Sequence, residues 1–124
     1  MSNLFFWIII YAFILAFSQV LLKFGLSQIG GFKIAGINDI FSFLYAAVRN
    51  PFALFGTIMM ASSYFLWMTI LSWFKLSVAF PLTSLAFIFV AALSYFLLNE
   101  KLLPLNYLGI VLITSGIFFL LYKQ

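Results

Sequence analysis

The chain has 124 residues, of which 67% are hydrophobic, 22% aromatic and only 6% charged. A water-soluble globule of this size has too little interior to hide so much apolar surface, so the composition points to an all-α integral membrane protein. The lack of Cys and His excludes a disulfide framework, thiolate chemistry and the usual proton shuttle, and six cations against two acids are too few for a nucleic-acid footprint but suit anionic lipid head groups.

Four apolar runs, at roughly 4–27, 51–74, 77–98 and 104–122, are each long enough to cross a hydrocarbon core about 30 Å thick. They predict a four-helix transmembrane bundle occupying 1–124 as one domain. The first run starts without a basic n-region and continues past signal-peptide length, so it is expected to remain as a helix. Near its end, Ser18-Gln19-Val20-Leu21-Leu22-Lys23 puts an amide and an ammonium four residues apart, on one helical face. The bland reading is a Lys that snorkels to the head groups beside a Gln bonded to a neighbouring helix. The functional reading is a binding site, because polar groups at membrane depth cost energy to insert.

After the first run, Gly30-Gly31 predicts a helix break. Asn38 or Asp39 can then cap a short helix in which Ile37, Ile40, Phe41, Leu44 and Val48 recur at helical spacing, a pattern for a segment lying in the membrane interface rather than a plain covering loop. Asn50-Pro51 supplies a cap and a first-turn proline for the second span, with Arg49 at head-group level.

The second span carries Ala53, Gly56, Met60, Ser63 and Trp67 along one side, and the third carries Ser77, Ser84 and Ala91 at heptad spacing. Small residues let helices approach closely in lipid, so these read first as packing faces. Gly109 and Gly116 form a similar stripe in the fourth span, read as a helix contact within the bundle or between subunits. Trp7, Tyr11, Trp73, Tyr95, Tyr107 and Tyr122 suit interfacial belts; Trp67 and Tyr64, placed deeper, could instead face a cavity.

Alternating spans put Lys23, Lys33, Arg49, Glu100 and Lys101 at one membrane surface, against Lys75 and Lys123 at the other. That small excess leans the long connection toward the cytoplasm and leaves insertion both ways round open. Lys23 and Glu100 finish on the same face, where they could pair across a cavity mouth.

Four short spans, Gln19 and Lys23 in the first, Ala79-Phe80-Pro81-Leu82-Thr83-Ser84-Leu85 opening the third, Asn99-Glu100 closing it and Gly109 with Gly116 in the fourth together resemble the drug/metabolite transporter superfamily. Among its small four-helix members the resemblance is to the flippase subunits for aminoarabinose linked to undecaprenyl phosphate. Small multidrug-resistance antiporters share the architecture but carry a membrane-embedded Glu in the first helix, where this chain has Leu15. A proton-for-cation exchanger needs such a titrating acid.

The resemblance implies a multi-pass protein of the bacterial cytoplasmic membrane that pairs with itself or with a similar small subunit. The retained cations imply an anionic polyprenyl lipid as substrate, with Gln19, Lys23, Arg49, Ser84, Glu100 and Lys101 as candidate contacts and Gly109 and Gly116 as candidate pairing residues. No cofactor or metal is expected, and nothing supplies an ATP site. The alternatives are a small-molecule exporter that uses Glu100 as its acid, or a non-transporting subunit of a membrane complex. Asp39 and Glu100 sit in separate connections and cannot share general acid and base work, which argues against an enzyme.

Overall fold

The computed structural model describes residues 2–30, 33 and 35–122. It consists of six helices: α1 (Ser2–Ile29), α2 (Ile37–Arg49), α3 (Pro51–Trp73), α4 (Leu76–Leu82), α5 (Leu85–Leu97) and α6 (Pro104–Leu121). Four segments are long and apolar enough to span a membrane: Asn3–Ile29, Pro51–Trp73, Leu76–Leu97 and Pro104–Leu121. These are the four expected spans, and no strand occurs among the described residues.

The third span is not one uninterrupted helix. Pro81 has no amide hydrogen to give, and beyond it the Thr83 and Ser84 amides bond three residues back, to the carbonyls of Phe80 at 3.0 Å and Pro81 at 3.1 Å. The helix tightens there to a 3₁₀ pitch, which separates α4 from α5. The Thr83 and Ser84 hydroxyls donate to the same two carbonyls at 2.6 Å, so both polar side chains at the break are satisfied locally.

Helix α1 ends where Gly30 takes a φ of 90°, a left-handed conformation suited to glycine; its neighbour Gly31 lies outside the described residues, as does Lys123. The segment after it is a helix, as the apolar spacing predicts, but neither Asn38 nor Asp39 is its cap. Extended Gly36 occupies that position, and Asp39, three residues into the helix, reaches back to accept the Ala35 amide at 2.9 Å. The carboxylate thus holds the amide of the residue before the cap rather than that of the cap itself, one residue short of a capping box. The row Ile37, Phe41, Leu44 and Val48 stays exposed, free to lie in the membrane interface.

Asn50 does cap α3. Its Oδ1 accepts the Phe52 and Ala53 amides, both at 3.0 Å, while its Nδ2 donates to Gln28 Oε1 at 3.0 Å. One side chain therefore starts α3 and ties it to the end of α1.

Helix α1 is the axis of the bundle and packs along both α3 and α5, whereas α6 leans on α4 and α5 with most of its surface bare. Against α3 the backbones nearly touch. A methyl group added at Gly56 would sit 2.8 Å from both the Leu22 amide nitrogen and the Ser18 carbonyl oxygen. Ala53, Gly56 and Ser63 are buried in this seam, the packing face read from the sequence. At the amino end of α1, Leu4, Ile8, Ile70, Ala79, Leu82 and Ile117 form one buried cluster drawn from α1, α3, α4 and α6. Trp67 stacks on Tyr11 there, ring centroids 5.3 Å apart, and so belongs to this packing, while Tyr64 faces outward. Gly109 and Gly116 meet nothing of this chain within 4 Å of where a Cβ would be.

Candidate functional site

At the opposite end from the buried cluster, α1 and α5 flank a gap. Between them lies a cavity of about 240 Å³ lined by Gln19, Val20 and Lys23 of α1, Val90 and Ser94 of α5, and Leu98 and Glu100 just beyond it. The four-residue spacing of Gln19 and Lys23 puts both on the face that looks into the gap. Gln19 donates from Nε2 to the Met60 sulfur at 3.2 Å, a weak acceptor that an incoming oxygen readily replaces. Lys23 makes no ion pair or hydrogen bond among the described residues.

Glu100 reaches the cavity by a local backbone device. Asn99 adopts a φ of 54°, and the chain then folds back so that the Glu100 amide donates to the Ser94 carbonyl at 3.2 Å. Asn is among the few side chains that tolerate this left-handed region. Asn99→Gly should leave stability and transport near wild type, whereas Asn99→Val should cost about 1–2 kcal/mol and slow transport. Thermal unfolding of the two variants, read beside a transport assay, checks this.

The expected pairing of Lys23 with Glu100 is not made. The two charges share the cavity without an ion pair, because the fold back onto Ser94 anchors Glu100 on the α5 wall while Lys23 belongs to the α1 wall. Three other candidates lie elsewhere. Arg49 is at the exposed end of α2, where it donates to the Tyr45 hydroxyl at 3.0 Å and sits 5.4 Å from the centre of that ring. Ser84 is in the turn between α4 and α5, with its hydroxyl committed to Pro81. Lys101 lines a separate hollow with Tyr95, Phe96 and Asn99.

The sequence reading missed Ser94, a buried polar residue in the cavity wall. Its signal was the row Val90, Ser94 and Leu98 leading to Glu100. Leu15, at the place where related antiporters carry an acid, is half-buried and offers only its carbonyl, which accepts from Ser18 Oγ at 2.6 Å. The acid in this cavity is Glu100.

The pattern of the EamA-like transporter family matches residues 3–122, nearly the whole chain. The chain belongs to the EamA-like transporter family. Curated relatives include the protein described as "Probable 4-amino-4-deoxy-L-arabinose-phosphoundecaprenol flippase subunit ArnE" of Salmonella typhi, 35% identical over 63 residues, which is 51% of this chain and 57% of that relative. The protein of the same description in Salmonella paratyphi B (strain ATCC BAA-1250 / SPB7) is 33% identical over 63 residues. The chain matches little more than half the length of these relatives. No solved structure matches it. Family and spans together make this a multi-pass inner-membrane protein of the EamA-like transporter family.

Proposed function

We propose that this EamA-like protein is one subunit of a flippase that moves a lipid-linked sugar, or a related polyprenyl-phosphate lipid, across the cytoplasmic membrane. The observation that carries the reading is Lys23 in the α1–α5 cavity, unpaired among the described residues, six residues or roughly 9 Å before the end of α1. A cation at that depth attracts a phosphate, and the resulting hydrogen bonds are charge-assisted. Gln19, about 6 Å deeper, offers amide donors and an acceptor to a sugar. The hydrocarbon chain stays in the bilayer, outside the gap. The description of the Salmonella relatives names a substrate of this chemistry and supports the reading.

The buried cluster seals the bundle around the amino end of α1 while the cavity stands at the other end, the arrangement of a carrier open to one side. Transport then proceeds by helices rocking about the cavity, with no bond made or broken. A single chain walls the cavity with α1 and α5, and a second copy or a similar small subunit completes it, with Gly109 and Gly116 on the pairing face.

Glu100 in the same cavity favours a second reading, export of a small cation coupled to a proton on that carboxylate. The two readings separate in liposomes containing the purified protein and any small subunit that copurifies. The flippase moves a fluorescent polyprenyl-phosphate sugar between leaflets, measured by quenching from outside, and shows no proton flux when a quaternary ammonium ion is added. A saturable, cation-driven proton flux abolished by Glu100→Gln, without lipid movement, would replace the flippase by the exporter. For the flippase, Glu100→Gln should bind polyprenyl phosphate more tightly, by up to about fivefold, because a carboxylate no longer faces the phosphate. Titration of the detergent-purified variant with that lipid measures the change.

A further inference from the structure

Lys101 lies away from the α1–α5 cavity, in a hollow of about 260 Å³ that it shares with Tyr95, Phe96 and Asn99. Tyr95 and Phe96 also line a second groove, of about 290 Å³, which passes Ala92 of α5 and Tyr107 of α6. Tyr95 and Phe96 are common to both, so the two hollows adjoin, and together they are called the slot. Its end carries an ammonium and an amide, and its length is aliphatic and aromatic carbon. Among the described residues lining it, Lys101 is the one charge.

This slot is separate from the α1–α5 cavity. Val90, Ser94 and Leu98 face that cavity, while Ala92, Tyr95 and Phe96 line the slot. At about 100° per residue these two rows fall on different sides of α5. The slot runs beside α6, of whose span only 6% is buried by its own chain. A ligand that fits has a single negative charge at the membrane surface and a hydrocarbon chain to lay between α5 and α6.

We propose that the α5–α6 seam binds one anionic phospholipid of the surrounding bilayer, its phosphate against Lys101 and Asn99 and one acyl chain in the groove below. A zwitterionic head group brings its own ammonium against Lys101 and is disfavoured. The lipid supplies packing that α6 lacks within the chain and is not the transported one, whose cation is Lys23 on another side of α5. That the seam lipid differs from the transported one rests on the role proposed for Lys23; its binding at Lys101 does not.

The test is native mass spectrometry of the full chain purified with equal amounts of phosphatidylglycerol and phosphatidylcholine. Wild type should retain phosphatidylglycerol about fivefold better, the worth of one basic residue beside an anionic head group. Lys101→Gln should erase the preference, and Ala92→Phe, which fills the groove and keeps the cation, should reduce retention of both lipids. Lys23→Gln should leave the ratio unchanged. Equal retention of the two lipids by wild type would overturn the proposal, as would a preference lost with Lys23→Gln but kept with Lys101→Gln. Displacement of phosphatidylglycerol from the Lys101-dependent site by a polyprenyl phosphate would also overturn it, since the seam would then belong to the transported lipid.

Discussion

Lys23→Ala should accumulate in the membrane at wild-type level and move no lipid. Lys23 has no partner among the described residues, so its removal orphans no buried acid and leaves no packing gap of consequence. Insertion should become easier, because a Lys at membrane depth costs up to about 2.5–3.5 kcal/mol on insertion scales and less near the interface. The same change deletes the one cation among the described residues lining the α1–α5 cavity. A hydrogen bond to a charged group is worth about 1.5–3 kcal/mol, which corresponds to a roughly ten- to hundredfold loss of affinity for a lipid phosphate. Lys23→Arg should recover part of the activity, since it keeps the charge but replaces a compact ammonium by a wider planar fork. Protein level, lipid affinity and flipping rate measured on one preparation decide the matter. A well-expressed Lys23→Ala protein that flips at the wild-type rate would remove Lys23 from the mechanism.

Gly25→Ala should fail in the opposite way, by losing the fold. At this position a Cβ would collide with the Ala53 amide nitrogen and come within 2.7 Å of Asn50 Oδ1. The first obstacle is helix backbone and cannot swing aside. The second is the oxygen that caps α3, so displacing it also disturbs the bonds from the Phe52 and Ala53 amides. Overpacking costs typically about 1–3 kcal/mol and a lost cap about 1 kcal/mol, which together make about 3 kcal/mol a reasonable expectation. Gly56→Ala should behave similarly, because its obstacles are the α1 backbone at Leu22 and Ser18. Gly109→Ala and Gly116→Ala are the controls: with open space around both, the isolated chain should tolerate them, and any effect should appear only as weaker association between subunits. Thermal unfolding in detergent, with the oligomeric state measured in parallel, distinguishes the two pairs. A Gly25→Ala protein as stable as wild type would show that α1 and α3 do not cross so closely.

Much of the architecture was legible from local chemistry. Hydrophobic length set the four spans, and Asn50-Pro51 marked the start of α3 through a side chain that acts within three residues of itself. The amphipathic row from Ile37 to Val48 identified α2, although not its cap, since Gly36 carries no side-chain signal and Asp39 acts backward on Ala35. The pairing of Gln19 with Lys23 on one face followed from helical spacing alone.

What the sequence could not say was which helix each face meets. In lipid the long spans are apolar all round, so no contrast between wet and dry sides records the rotation of each helix. The stripe of Ala53, Gly56 and Ser63 marked a packing face, but only the packed structure shows that it meets α1, that α1 lies between α3 and α5, and that Gly25 joins the close crossing while Gly109 and Gly116 do not. The same holds for the charges. Lys23, Arg49, Glu100 and Lys101 were all expected at one surface, but their grouping depends on backbone turns and helix faces. Asn99 folds the chain so that Glu100 enters the α1–α5 cavity, Lys101 falls on another side of α5, and α2 carries Arg49 away. Span number and local caps are properties of neighbouring residues along the chain, whereas a cavity is a property of helices brought side by side.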